Sequence, residues 1–61
     1  MTVGEMVRHI KSKGVIFVKH GKKHDIYYNP TTGSEAQIPR HQTEELKKGT
    51  AERILKDLGL K

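Results

Sequence analysis

The sequence contains no cysteine, and its longest apolar run is the four-residue stretch Val15–Val18. Without cysteine the chain can form no disulfide, thiolate zinc site or thiol nucleophile, which fits a reducing compartment. A run this short falls far below the ~20 residues that a helix needs to cross a bilayer. The first residues, Met1–Glu5, lack the basic start and the apolar stretch of a signal peptide. We therefore expect a soluble, cytoplasmic protein without membrane contact.

The chain is short and basic. It has 61 residues, and a domain of about this length hides only about 60% of the surface that its unfolded form exposes. We expect one domain over residues 1–61, with a small core and no deep cofactor cleft. Lysine and arginine total 12 against 7 acidic residues, a net charge of +5. This balance favours a polyanionic partner, with nucleic acid the leading candidate.

Two segments have the apolar spacing of amphipathic helices. The first carries apolar residues at i, i+3, i+4 and i+7, namely Val3, Met6, Val7 and Ile10. Thr2 followed by Glu5 predicts a capping box at its start, and Gly14 predicts a left-handed cap at its end. The second helix is predicted over Gly49–Gly59, with an apolar side formed by Ala51, Ile54, Leu55 and Leu58.

Three segments between the helices favour strands, namely Val15–Lys19, Asp25–Tyr28 and Ser34–Ile38. The first is apolar on both faces except at its end, which predicts a well covered strand. The second is predicted to be central and the third to lie at an edge, with Ala36 and Ile38 sharing one face. Turns at His20–Lys22 and Pro30–Gly33 would make the sheet a meander.

These elements predict an α+β fold of order α-β-β-β-α. Both helices would lie on one face of a three-stranded antiparallel sheet, and the other face would stay open. Residues 40–48 are predicted to form a loop that Leu46 attaches to the core. The layout resembles the double-stranded-RNA-binding fold, although a shared fold does not by itself define a function.

The predicted chemistry centres on His24, which lies where a turn meets the central strand. An imidazole can take or give a proton near neutral pH, and a positioned acid or base accelerates a reaction by roughly 10²–10⁴-fold. Lys22 and Lys23 directly precede it and could bind or neutralise phosphate. The alternative is an exposed hairpin histidine beside a charged turn that keeps the protein soluble.

Four other residues are weaker candidates for binding RNA or for catalysis. Arg40 could donate to phosphate oxygens, while His41 is better explained as a solvated loop residue than as a second acid or base. Lys47 and Lys48 precede the second helix, whose free N–H groups could also bind phosphate. An ordinary helix start has the same pattern, so this site is a hypothesis.

The sequence predicts no metal site and no cofactor. His20 and His24 are four residues apart, which is a helical spacing and does not suit two residues separated by a turn. No group of acidic residues accompanies them. Any catalysis would then depend on protein side chains.

The motifs and their order resemble those of HicA-type toxins of bacterial and archaeal toxin–antitoxin pairs. They are the strand histidine His24, the sequence Pro-Arg-His at 39–41, and Gly-Thr-Ala-Glu-Arg-Ile-Leu-Lys-Asp-Leu-Gly at 49–59. The resemblance covers nearly the whole chain. One departure precedes the histidine, where the family commonly has Gly-Ser and this chain has Lys22 and Lys23.

The resemblance implies an mRNA interferase, a small endoribonuclease that cuts mRNA and arrests translation and growth. It implies that His24 is the catalytic general acid or base of a metal-independent reaction, and that a HicB antitoxin silences the toxin. DNA would be contacted only through the antitoxin. The family's apolar residue at position 27 implies that Tyr27 faces the helices. Ile26 and Tyr28 would then join His24 on the open face, as contacts for a base or the antitoxin, unless the opposite register buries them.

Two other functions are consistent with the residues. One is a non-catalytic RNA-binding module of the same shape, and the other is a domain that only contacts proteins. Replacing Lys22 and Lys23 should weaken RNA binding under either RNA function, whereas only the nuclease would lose cleavage on replacement of His24.

Overall fold

The structure, a computed structural model, describes residues Met1–Lys61. Its elements are α1 (Val3–Ser12), β1 (Ile16–His20), β2 (His24–Asn29), β3 (Ser34–Pro39) and α2 (Lys48–Asp57). The strands form one antiparallel sheet in the order β1-β2-β3, with β2 in the centre. The predicted α+β fold and element order are confirmed. Neither helix is long and apolar enough to span a membrane.

Helix α1 begins at the predicted capping box. The Glu5 N–H donates to the Thr2 hydroxyl at 3.2 Å, and the Thr2 N–H donates to a Glu5 carboxylate oxygen at 2.8 Å. The backbone hydrogen bond from Thr2 has the largest effect in lowering the pKa of Glu5. The bond that the Thr2 hydroxyl donates to the Glu5 carboxylate lowers this pKa further. Gly14 follows the helix with φ of 94°, a conformation that strains other residues.

The hydrophobic core lies between the helices and one face of the sheet. It consists of Val3, Met6, Val7, Ile10, Val15, Tyr27, Ala36, Ile38, Leu46, Ile54 and Leu58. The predictions that Ala36 and Ile38 share one face and that Leu46 joins the core are confirmed, and Tyr27 belongs to the core on the helix side as expected. Burial, and then the charge of nearby Asp25, raises the pKa of Tyr27.

A buried asparagine joins β2 to the end of α2. Asn29 is 1% exposed, and its side-chain amide donates to the carbonyl of Leu58 at 2.7 Å. The Thr31 N–H donates to the Asn29 side-chain oxygen at 3.0 Å. The hydroxyl of Thr32 also donates to the Leu58 carbonyl, at 3.2 Å. These bonds attach the β2–β3 turn to the C-terminus of α2, a carbonyl-rich end that needs donors.

The prediction that the first strand is well covered was wrong. Ile16, Phe17 and Val18 are 52%, 41% and 48% exposed, and the strand runs one residue later than predicted. β1 is an edge strand, and Val15, the residue before it, enters the core in its place at 2% exposed. The pairing with β2 also shifts between Phe17 and Lys19, so regular alternation of the side chains is broken.

Candidate functional site

The face of the sheet that the helices leave uncovered carries His24, Ile26 and Tyr28. The three alternate along β2 with the buried residues, because successive side chains of a strand point to opposite faces. His24 is exposed, whereas Ile26 and Tyr28 are half-buried. The structure therefore places all three on the open face, as the predicted register requires.

His24 lies where two shallow grooves meet. The larger, of about 430 Å³, extends over β3 towards α2, and the smaller, of about 260 Å³, follows the turn between β1 and β2. Three side chains line both grooves, namely His24, Ile26 and Gln37. A ligand lying in either groove would therefore be next to the imidazole of His24.

The two grooves have different linings. The smaller groove is completed by Gly21, Lys22 and Lys23. The larger one is completed mainly by polar residues of β3 and α2, among them Glu35, Thr50, Arg53 and Asp57. The smaller groove offers two ammonium groups to a phosphate, whereas the larger one offers donors and acceptors of both kinds.

The imidazole of His24 makes no hydrogen bond within the chain, in contrast to that of His20, whose Nδ1 donates to Asp25 Oδ1 at 2.7 Å. These two histidines flank the same turn. An imidazole that is exposed and unengaged can accept or donate a proton to a bound substrate. Of the pair, only His24 meets that condition.

Lys22 and Lys23 are exposed in the turn, and neither forms an ion pair with an acidic residue. Their charges are therefore available to a phosphate. Lys47 and Lys48 lie at the start of α2 and line neither groove, although Thr50 of the same helical turn lines the larger one. The structure thus brings the first two lysines to His24 but not the second two.

Arg40 lines neither groove. Its Nε lies 3.3 Å from Asp25 Oδ1, and its Nη2 donates to the carbonyl of Gly21. His41, the next residue, is exposed in the loop and lines neither groove. The Pro-Arg-His sequence therefore contributes only its proline, Pro39, to the walls of the larger groove.

Sequence reasoning missed Asp25 and Gln37. Asp25 falls inside a predicted strand, where a carboxylate among aromatic and β-branched residues indicates an ion-pair partner. No local pattern singles out Gln37. Its pairing with Ile26 places it beside His24, and that register follows from the complete sheet.

The structure contains no group of three or more histidine, aspartate or glutamate side chains close enough to hold a metal ion. His20 forms its hydrogen bond with Asp25.

Comparisons with known proteins identify the family of this chain. Residues 3–60 match the family described as the HicA toxin of bacterial toxin–antitoxin systems. A chain of the crystal structure of the E. coli HicAB toxin–antitoxin complex is similar with a TM-score of 0.82 and 33% identity, over 95% of this chain and 96% of that one. A comparison with curated proteins gives no match. The resemblance seen in the motifs is confirmed, and the chain belongs to the HicA toxin family of bacterial toxin–antitoxin systems.

Proposed function

We propose that this toxin is an endoribonuclease that cleaves mRNA with His24 as its catalytic residue. A HicB antitoxin holds it inactive. Family membership supports the toxin role. The observation that carries the enzymatic proposal is the unengaged imidazole of His24, exposed where a lysine-lined groove meets a polar one. Proton transfer beside a bound phosphate is the chemistry that this arrangement can perform.

Cleavage of RNA by its own 2′-hydroxyl requires two proton transfers. The 2′-oxygen loses a proton as it attacks the phosphorus, and the departing 5′-oxygen gains one. His24 performs one of these transfers, and water or a group of the substrate performs the other. Lys22 and Lys23 stabilise the negative charge that develops on the phosphate oxygens. This stabilisation is stronger where the bound RNA excludes part of the water.

The remaining contacts would hold the RNA. Ile26 lies two residues from His24 and Tyr28 four residues from it on the same face of β2, and both are half-buried and offer apolar surface to a base. Stacking of a base on an aromatic ring contributes about 1–3 kcal/mol. Lys47 and Lys48, at the start of α2, would meet phosphates further along the RNA chain. Together these residues favour a single strand, whose bases are free to stack.

The same face suits the antitoxin. The similar E. coli chain was crystallised in a HicAB toxin–antitoxin complex. For this chain we propose that a HicB protein covers Ile26, Tyr28 and His24, so that inhibitor and RNA compete for one surface. A partner with acidic residues around an apolar centre would complement the net charge of +5. Any contact with DNA would come through the antitoxin.

Induced expression in bacteria tests the proposal, with growth and mRNA integrity recorded in the same cultures. The unmodified chain should arrest growth and fragment mRNA, and His24→Ala should do neither while accumulating as folded protein. His9→Ala is the matched control, since His9 is an exposed histidine of α1 away from the grooves. It should remain fully toxic.

Two results would contradict the proposal. If the unmodified chain is folded and leaves growth and mRNA intact, the chain does not cleave RNA in cells, and a non-cleaving RNA-binding module becomes the better account. If His24→Ala is as toxic as the parent, the catalytic group lies elsewhere. Co-expression with the product of the neighbouring gene tests the antitoxin, which should restore growth and co-purify with the toxin.

A further inference from the structure

The turn that carries Lys22 and Lys23 to His24 has little backbone support. Its one backbone hydrogen bond runs from the Gly21 N–H to the His24 carbonyl, at 2.7 Å. An exposed connection with a single such bond samples several conformations unless side chains restrict it. The position of His24 relative to the lysines therefore depends on contacts made by other residues.

Arg40 supplies one of these contacts. Its Nη2 donates to the Gly21 carbonyl, while its Nε lies 3.3 Å from Asp25 Oδ1. Arg40 follows β3, whereas Gly21 follows β1, so one guanidinium connects the two edges of the sheet across β2. The planar fork of arginine permits both contacts at once, which the single ammonium of lysine does not.

Asp25 is the point at which these contacts join. Its Oδ1 accepts from His20 Nδ1 at 2.7 Å as well as facing Arg40. The Asp25 side chain is only 13% exposed, so solvent screens the ion pair less than it would a pair on the surface. Asp25 follows His24 directly and points to the opposite face of the sheet. It therefore fixes the backbone at His24 without contacting either groove.

The close approach of Gly21 to His24 shows how tightly this turn is closed. A Cβ on Gly21 would lie 2.6 Å from the His24 carbonyl oxygen, a distance that side chains do not tolerate. The turn therefore requires glycine at position 21 and leaves its carbonyl facing Arg40.

We propose that Asp25 and Arg40 are positioning residues that hold the turn between β1 and β2, and with it His24, in the geometry that cleaves RNA. The proposal rests on the proposed ribonuclease activity. It also gives Arg40 a role different from the phosphate contact for which the sequence made it one of the weaker candidates. A positioning residue acts on the rate of the chemical step and leaves RNA affinity nearly unchanged.

Single-turnover cleavage and RNA affinity, measured on purified variants, test this role. Asp25→Asn and Arg40→Gln should each slow cleavage by about tenfold or more, since small misplacements of a catalytic group have large effects on rate. The dissociation constant for RNA should stay within about twofold of the parent, because neither residue is proposed to contact RNA and both variants keep the charges of Lys22 and Lys23. The double variant should be no slower than the worse single one, because both changes break one network.

Arg40→Lys separates positioning from phosphate binding. A lysine keeps the charge but cannot make both contacts, so Arg40→Lys should be as slow as Arg40→Gln. The positioning role is overturned if lysine restores the rate, or if Arg40→Gln weakens RNA binding and flattens its salt dependence. It is also overturned if Asp25→Asn cleaves like the parent.

A readout independent of cleavage keeps the two proposals apart. Backbone amide NMR signals of Lys22, Lys23 and His24 should shift or broaden in Asp25→Asn, while those of α1 stay unchanged. Unchanged turn signals would refute the positioning role even in an active protein. If the parent does not cleave RNA but the turn signals change in Asp25→Asn, the ribonuclease proposal fails. The role of Asp25 in holding the turn is then still supported.

Discussion

The two faces of the sheet are built from alternate residues of the same strands, yet they have opposite environments. On β2, Tyr27 and Asn29 are 4% and 1% exposed beneath the helices, whereas His24, Ile26 and Tyr28 lie on the uncovered face. The covered face supplies the buried apolar area that stabilises a small domain. The open face supplies groups that a ligand can reach. Stability and the proposed chemistry therefore depend on separate side chains, and mutations should separate them.

The largest change in stability is expected on the covered face. Ile38 is fully buried, and truncation of such a residue to alanine costs about 2–5 kcal/mol in the free energy of unfolding. A natural domain has a free energy of unfolding of roughly 0.1 kcal/mol per residue. Ile38→Ala should therefore lose much of the free energy of unfolding of this short chain. Urea denaturation measures the loss.

The matched control for that prediction is Ile16→Ala. Ile16 is the same residue type in an edge strand but is 52% exposed, and its truncation should cost less than about 1 kcal/mol. If the two alanine variants lose equal stability, burial does not distinguish β3 from β1 and the comparison fails.

The lysines of the turn should affect binding and leave stability unchanged. Each lysine that neutralises a phosphate adds about 0.7 to the slope of log affinity against log salt for a single strand, so Lys22→Gln combined with Lys23→Gln should lower that slope by about 1.4. A salt titration of RNA binding measures the change. The unfolding midpoint should match that of the parent, because both side chains are exposed.

Replacing Lys11 and Lys13 by glutamine is the charge-matched control. Both are exposed, at the end of α1 and away from the grooves. Their loss should leave the salt slope near that of the parent. Equal slopes for the two double variants would show that RNA responds only to the net charge and not to the turn.

A smaller effect is expected at the capping box, which belongs to neither face. Thr2→Ala should cost about 1 kcal/mol of stability and leave the cleavage rate of the folded protein unchanged. The pKa of Glu5 is lowered by its bonds with Thr2. Its contribution is therefore present above the pKa of an unfolded glutamate and is lost as pH falls through the lower folded value.

Unfolding measured at neutral pH and again below the folded pKa of Glu5 checks this prediction. The parent should lose more stability on acidification than Thr2→Ala, because the variant keeps the backbone N–H bond to Glu5 but loses the hydroxyl bond that lowers the pKa of Glu5 further. A variant with the same acid dependence as the parent would mean that the Thr2 hydroxyl does not contribute to the lowered pKa of Glu5.

Local sequence patterns predicted much of the fold. The capping box, Gly14, the inward pair on β3 and the apolar stripes of both helices depend on neighbouring residues, and each lies where the pattern places it. The exposure of β1 could not be predicted this way. It depends on which strands of the sheet the two short helices pack against, and local sequence does not show that. Val15–Val18 reads as a buried strand, but only Val15 enters the core.

The site was predictable only in part for the same reason. His24 and its lysines are adjacent in the chain, and the family resemblance singled out the histidine. The contacts of Arg40 with Gly21 and Asp25 join residues that are far apart in sequence. From the sequence alone, phosphate is a natural partner for an arginine in a loop. In the folded chain Arg40 instead contacts the Asp25 carboxylate and the Gly21 carbonyl.

The central claim is that His24 performs the chemistry on a face that does not stabilise the fold. It is tested most directly by single-turnover cleavage of a short single-stranded RNA by the purified parent and His24→Ala, in the presence of a metal chelator. RNA affinity and the unfolding midpoint are measured on the same samples. We predict that the variant is slower by about 10²–10⁴-fold with both other quantities unchanged. A folded His24→Ala protein that binds and cleaves RNA at the parent's rate would contradict the account.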